Sequence, residues 1–296
     1  MPNPAAGGAP TRRARPGEPA FPAVLSAIPD PPAQLFWAGA RWPPPRRAVA
    51  VVGARGASPY GLEMATALAG GLARAGICVV SGMARGVDAA AHRAALAAGG
   101  ETVAVLAAAA GSAYPPDMTV LHADILAAGA ACAEYPDGTP LRPGLFVRRN
   151  RLVAGLALGV VVVEAGPASG ALSTAGAARR QGRFVAAVPG DVTRENSLGT
   201  LALLRGGAVP VGDAGQVIAL AEAQAAGAQA EPGRAPDLAA AVLRGLRGGP
   251  RDPDALAATL GVGAARVAAI LTALELAGAV RRLPGGRYGP AGDGTR

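Results

Sequence analysis

Apolar runs of four or five residues, each ending in a glycine-bearing loop that feeds a helical pattern, recur through the middle of this chain. Val49-Ala50-Val51-Val52 leads into Gly53-Ala54-Arg55-Gly56. Cys78-Val79-Val80 leads into Ser81-Gly82-Met83-Ala84-Arg85-Gly86-Val87-Asp88, and Val160-Val161-Val162-Val163 into Glu164 and then Ser169-Gly170. Val185-Ala186-Ala187-Val188 leads into Pro189-Gly190-Asp191. Unbroken rather than alternating apolar strands mark a sheet covered on both faces. Consecutive strand–helix units of this kind build a parallel sheet with right-handed crossovers. All strand C-termini then share one edge, where open α/β folds bind ligands. Loops far apart in sequence are thus expected to meet there, bringing backbone N–H groups and arginines suited to phosphate.

Periodicity and punctuation place strands near 48–53, 77–81, 102–106, 130–134, 159–164, 184–188 and 208–211. Helices are expected near 61–75, 88–98, 118–128, 149–157, 171–181, 197–205 and 213–223. Residues 1–47 read as a Pro/Arg-rich extension, its first twenty residues disordered and 28–39 an extended lead-in packed on the sheet. Residues 48–223 form the α/β domain, 224–236 a linker, and 291–296 a tail. Between them, 237–290 reads as helix, helix-turn-helix and hairpin, a small winged helix in which Asp252 or Asp254 caps the second helix. The fold class is therefore α/β: an extended Rossmann-like parallel sheet with helices on both faces, plus a C-terminal winged helix.

All 28 basic residues are arginine, and the net charge of +8 is concentrated at the ends. Residues 1–47 carry six Arg against two acids and 234–296 nine against five, while the middle holds thirteen of each. A basic surface overall does not argue for a polyanion here; a local cleft must. Cys78 and Cys132 lack metal spacing and read as buried thiols. No metal or cofactor motif, Walker loop or nucleophile elbow is present, so no catalytic residue is assigned. With no signal peptide and no spanning apolar run, a cytoplasmic location without membrane contact is expected.

The candidate phosphate-binding residues follow from the loops. Gly53 turns the chain and aims Arg55 at the sheet edge, while helix 61–75 is expected to present free N–H groups at its start. Ser81, Gly82, Arg85 and Gly86 form a second loop, with Asp88 as helix cap and His92 one turn on, the pair orienting the pocket or holding the structure. Arg148, Arg149, Asn150 and Arg151 form the densest basic cluster, at a helix start beside the sheet edge. Glu164 is expected to orient an arginine, and Ser169, Gly170 and Thr174 to offer donors at a helix N-terminus. His122 is placed on a surface helix.

With these motifs in order, the chain resembles the DprA/Smf family of DNA-processing proteins. The resemblance also rests on Ala98-Gly99-Gly100-Glu101-Thr102, Tyr114-Pro115, Glu134-Tyr135-Pro136, Ser169 to Ala175, Ala187-Val188-Pro189-Gly190 and Gly206-Gly207-Ala208. It implies a non-enzymatic homodimer that binds single-stranded DNA and loads a RecA-type recombinase during natural transformation. By the match, Arg55 contacts DNA, and the loops at Gly82 and Gly170 share its surface. The chain departs from the family in Ala107–Ala110, in Phe146-Val147, and in Pro116, where a basic residue is usual, and the family's N-terminal SAM-like domain is expected to be missing. A second reading, a nucleotide hydrolase of the lysine-decarboxylase-like type on a related fold, expects an acid in the Ser169–Ala175 loop, and none is there. A third makes the winged helix the main DNA reader, though its candidate recognition helix offers only Arg266 and Glu275 as charges.

Overall fold

The computed structural model describes residues 9–229, 238–246, 249–260, 262–276 and 279–290. It divides into two compact units, Met1–Gly227 and Ala228–Arg296, each described by itself.

The first unit runs β1 (Arg12–Ala14), α1 (Ala23–Ser26), β2 (Leu35–Gly39), β3 (Ala48–Val52), α2 (Pro59–Arg74), β4 (Cys78–Ser81), α3 (Val87–Ala97) and β5 (Thr102–Leu106). It continues through α4 (Thr119–Ala128), β6 (Ala130–Ala133), α5 (Pro143–Gly155), β7 (Gly159–Val162), α6 (Gly170–Arg180), β8 (Phe184–Ala187), α7 (Glu195–Arg205), β9 (Val209–Pro210) and α8 (Ala214–Gln229). One sheet has the order β1-β2-β6-β5-β4-β3-β7-β8-β9. From β6 to β9 every pair is parallel. The chain moves outward from β3 through β4, β5 and β6, then returns to place β7 on the other side of β3. Their C-terminal ends mark the topological switch point.

The strands are Val- and Ala-rich because both faces are covered. Ala48, Ala50 and Val52 of β3 pack with Leu152 and Val153 of α5 and with Ala171 and Ala175 of α6. Val49 and Val51 pack with Leu68 and Leu72 of α2 and with Val87 and Ala91 of α3. A third group joins Ala104 and Leu106 of β5 to Leu121 and Ile125 of α4. Aromatics make up only 3% of the chain, so alanine does much of the filling. It costs no side-chain entropy in a helix and lets helix and sheet approach closely. The two cysteines lie in this core, and burial pushes the Cys132 thiol up to about 12.

Four expectations need correction. The first twenty residues are not all disordered: β1 pairs antiparallel with β2, Ala14 is fully buried, and the Arg12 guanidinium lies 5.0 Å above the Trp37 ring. Residues 1–8 lie outside the described region. The lead-in at 35–39 is itself a strand, antiparallel to β6, so the sheet is parallel except at this edge. Helix α5 begins at Pro143, six residues before the expected 149, because proline suits the first helical position, where its missing N–H has no partner to lose. Helix α8 likewise extends to Gln229, into the expected linker, whose remainder at 230–236 is outside the described residues, as is the tail.

The second unit contains α9 (Leu238–Leu246), α10 (Pro253–Leu260), α11 (Ala264–Leu276), β10 (Val280–Arg282) and β11 (Tyr288–Pro290). Val242, Leu246, Leu256, Val267, Leu271, Val280 and Tyr288 make its core. Asp252, not Asp254, caps α10, accepting from the Ala255 N–H at 2.7 Å. Arg251 exchanges backbone bonds with Tyr288 on the hairpin. Three helices and a hairpin give the winged-helix arrangement.

Candidate nucleic-acid interface

A cleft of about 760 Å³ opens at the C-terminal ends of β3, β4 and β7. From the β3 exit it takes Gly53, Ala54, Arg55 and Gly56; from the β4 exit, Gly82, Ala84 and Asp88. Arg149 and Asn150 of α5 line it too, together with Ser169, Gly170 and Thr174 at the start of α6. Tyr114, Phe146, Glu195 and Asn196, which spacing did not single out as phosphate ligands, complete the rim.

Helix α5 supplies the structural centre. Arg149 is buried and donates through Nη1 to the carbonyls of Gly82 and Val105. Its Nε donates to the Asn150 Oδ1 at 3.2 Å. Asn150 Nδ2 donates to the Gly170 carbonyl at 3.1 Å. Two adjacent side chains therefore tie the β4 loop and the β5 end to the start of α6. Burial pushes the Arg149 guanidinium down from its ordinary value; Asp88 opposes that shift, and Arg55 adds to it. The other two arginines of the cluster point elsewhere, because a helix interior fans consecutive side chains around its axis. Arg151 is held by Glu134 at 2.7 Å and Asp30 at 2.8 Å, and Arg148 reaches Glu134 at 3.5 Å. Neither lines the cleft.

The second loop is held by the chain's own acid. Asp88 lies within α3, whose cap position is Gly86, and accepts from the N–H groups of Gly82 at 3.1 Å and Ala84 at 3.3 Å. Burial pushes its carboxyl up, against the pull of Arg149. Gly86 has φ +75°, and a Cβ there would strike the carbonyls of Ala54 and Arg55. The β4 loop is thus keyed into the β3 loop. Gly82 abuts the Arg149 guanidinium, 2.6 Å from a would-be Cβ. Ser81 is buried and donates to the Val51 carbonyl, and Arg85 is an exposed partner of Asp117 at 2.8 Å. Ser81, Arg85 and Gly86 are not part of the cleft lining.

Three polar expectations are overturned. His92 does not pair with Asp88; its Nδ1 lies 2.6 Å from Thr102 Oγ1, away from the cleft. Thr102 already donates to the Val79 carbonyl at 2.7 Å, so it accepts, and His92 carries its proton on Nδ1. Among the described residues, Glu164 orients no arginine. It takes the Ser58 N–H at 2.9 Å and the Ser58 hydroxyl at 2.5 Å. Ser58 in turn caps α2 by accepting from the Gly61 N–H. The start of α2, expected to offer free donors, therefore has its Gly61 and Leu62 N–H groups already taken by Ser58. His122 is buried and bonded to the Ala110 carbonyl at 3.0 Å, not on the surface.

What remains open is specific. Among the described residues, the N–H groups of Arg55, Gly56 and Gly170 have no partner within the protein. Arg55 is exposed, forms no ion pair among the described residues, and lies 5.7 Å above the Phe146 ring. Tyr114 packs on Phe146 at 5.5 Å. A Cβ at Gly170 would meet nothing within 4 Å. No group of three His, Cys, Asp or Glu among the described residues could hold a metal, and no described helix is long and apolar enough to cross a membrane.

Fold and cleft together define an open α/β protein with a switch-point site in which amide donors and an unpaired arginine face solvent. A family model described as DNA recombination-mediator protein A matches residues 13–222, and one described as the DprA winged helix domain matches 223–286. The chain belongs to the DprA/Smf family of DNA-processing proteins. It is 44% identical to a putative DNA processing protein DprA of Mycobacterium tuberculosis, over 78% of this chain and 61% of that protein. It is 38% identical to the protein Smf of Escherichia coli, over 67% of this chain and 53% of that one. The chain thus spans a little over half the length of these relatives. Among solved structures, DprA of Streptococcus pneumoniae superposes with a TM-score of 0.66 at 35% identity, over 70% of this chain and 73% of that one. DprA of Helicobacter pylori, described by its single-stranded DNA binding mode, gives 0.63 at 26% identity, over 71% and 94%.

Proposed function

We propose that this chain binds single-stranded DNA in the cleft without cutting it and passes it to a RecA-type recombinase during DNA uptake, as a cytoplasmic homodimer. The observation that carries the DNA part is the solvent-facing Arg55 beside the open amides of Arg55, Gly56 and Gly170. These donors suit phosphate oxygens and carry no sequence code. The Tyr114–Phe146 pair offers bases one stacking surface, worth about 1–3 kcal/mol per base. The recombinase, the uptake setting and the dimer rest on family membership.

Arg55→Ala is expected to weaken binding of oligo-dT about tenfold and to make the slope of log affinity against log salt shallower by about 0.7. Fluorescence anisotropy over a salt series checks both, and an unchanged affinity sinks the reading. Gly170→Leu fills open space at the first position of α6. It should leave thermal stability within about 0.5 kcal/mol, as a surface change does, yet cost about tenfold in oligo-dT affinity by displacing the strand from the Gly170 N–H. Tight binding by that variant would remove α6 from the interface.

One observation favours a second reading. Asp88 is a buried acid with a raised pKa in a ligand-sized cleft, a pattern shared with catalytic carboxyls. Its oxygens serve the loop amides, which argues for a structural role. Incubation with AMP decides between them, because free adenine in the products would establish a nucleotide hydrolase.

A further inference from the structure

We propose that the protein carries a second binding site, at the opposite ends of the strands, for an apolar group bearing a carboxylate. A pocket of about 220 Å³ lies where the chain enters β3, β7 and β8. Phe21, Val24, Leu156 and Leu158 give it apolar walls, five prolines stiffen its rim, and Arg46 and Arg183 are the only charges among its described lining residues. No acid lines it. It is the size of one side chain rather than of a drug-sized ligand.

The polar end is built by Arg183. One of its five N–H groups, on Nη2, donates to the Gly155 carbonyl at 3.3 Å. Its Nε is buried with no hydrogen-bond partner. Neither Arg183 nor Arg46 has an acidic partner among the described residues. A half-buried guanidinium without a counter-ion is costly, and burial pushes this one down from its ordinary value. The buried Nε is out of a ligand's reach, but a carboxylate would supply the missing counter-charge at the terminal Nη nitrogens, because its two oxygens match the guanidinium fork. An apolar substituent beside that carboxylate would fill the pocket. The proline-rich walls are rigid beforehand, so little ordering entropy is lost on binding.

A free apolar acid and the C-terminal residue of a peptide share this chemistry, and the test separates them. The full chain is titrated, by amide chemical shifts, with N-acetylphenylalanine, with its amide, and with a hexapeptide ending in phenylalanine, free or C-amidated. Saturable shifts around Leu158 and Arg183 are expected with the free acid, with Kd on the order of 1 mM or tighter. Amidation should weaken binding about tenfold by removing the charged acceptor, and Arg183→Gln should do the same. Ala23→Glu, at an exposed lining position, supplies a competing acid without disturbing the core and should also abolish binding. A hexapeptide that binds at least as well as the small acid assigns the site to a protein C-terminus; binding of the small acid alone assigns it to a metabolite. Equal binding of acid and amide, undiminished binding by a folded Arg183→Gln or Ala23→Glu variant, or no saturable shift with any probe overturns the proposal. None of these outcomes bears on DNA binding at the other end of the strands.

Discussion

Gly86→Ala is expected to destabilise the protein by about 3 kcal/mol and to abolish oligo-dT binding. Two costs add. A residue with a Cβ is strained by about 1–2 kcal/mol at positive φ, and Gly86 has φ +75°. The new methyl also meets backbone: the carbonyls of Ala54 and Arg55, with the Arg55 carbonyl carbon at 2.8 Å. Backbone does not swing aside as a side chain does, and such overpacking costs about 1–3 kcal/mol. The β3 loop must shift, and Arg55 with it. Val87 would also lose its 3.2 Å bond to the Ala54 carbonyl. Gly56→Ala is the control for stability alone, since a Cβ there meets nothing within 4 Å at ordinary φ. Urea unfolding of the three proteins checks the first part and anisotropy the second. A Gly86→Ala midpoint equal to that of wild type would show that the two loops are not keyed together.

Acid should destabilise the fold through His92, well above the range where carboxylates titrate. Burial lowers its pKa from the ordinary 6.5 to about 3. The reason lies in its two nitrogens. Nδ1–H is bound to Thr102, while Nε2 is buried without a partner, so a second proton would have no acceptor. The folded state refuses a proton that the unfolded chain accepts below pH 6.5. Stability from this group is therefore complete above pH 6.5 and is lost as pH falls toward 3. The slope is about 1.4 kcal/mol per pH unit, or about 2 kcal/mol by pH 5. His92→Gln keeps a buried polar side chain but cannot titrate. Its stability, though lower at pH 7, should fall less between pH 7 and pH 5 by that amount in urea unfolding. Parallel pH profiles for the two proteins would remove His92 as the source.

The alternation of strands and helices was legible because strands such as Val49–Val52 are buried on both faces and tolerate no polar residue. Their loops were legible as a meeting place because parallel connectivity leaves no alternative. What could not be read were pairings set by tertiary distance. Glu164 and Ser58 are 106 residues apart, and Arg151 and Asp30 are 121 apart. No local spacing distinguishes an arginine that faces a ligand from one that faces such a partner. Asp88 and His92 failed differently. Helical spacing puts them on one face, but Asp88 turns back to its own loop and His92 goes to the sheet. Pro143 was read as loop although it begins α5, and this misplaced Arg148 to Arg151 at a helix start. Strand β1, three residues long, carries too little periodicity to be seen.

The carboxylate of Glu164 under the first turn of α2 has a wider meaning. In doubly wound folds the helix after the first strand is where a nucleotide's pyrophosphate docks. Here the molecule has furnished that berth with a permanent tenant of its own. On the proposed reading, a guest anion would instead meet the donors of the β3 loop and of the start of α6, at the open lip of the sheet. A lone nucleotide would thereby lose its deepest foothold, whereas a long strand, on the proposed reading, would lose nothing, since it needs a shallow track that it can enter and leave at both ends.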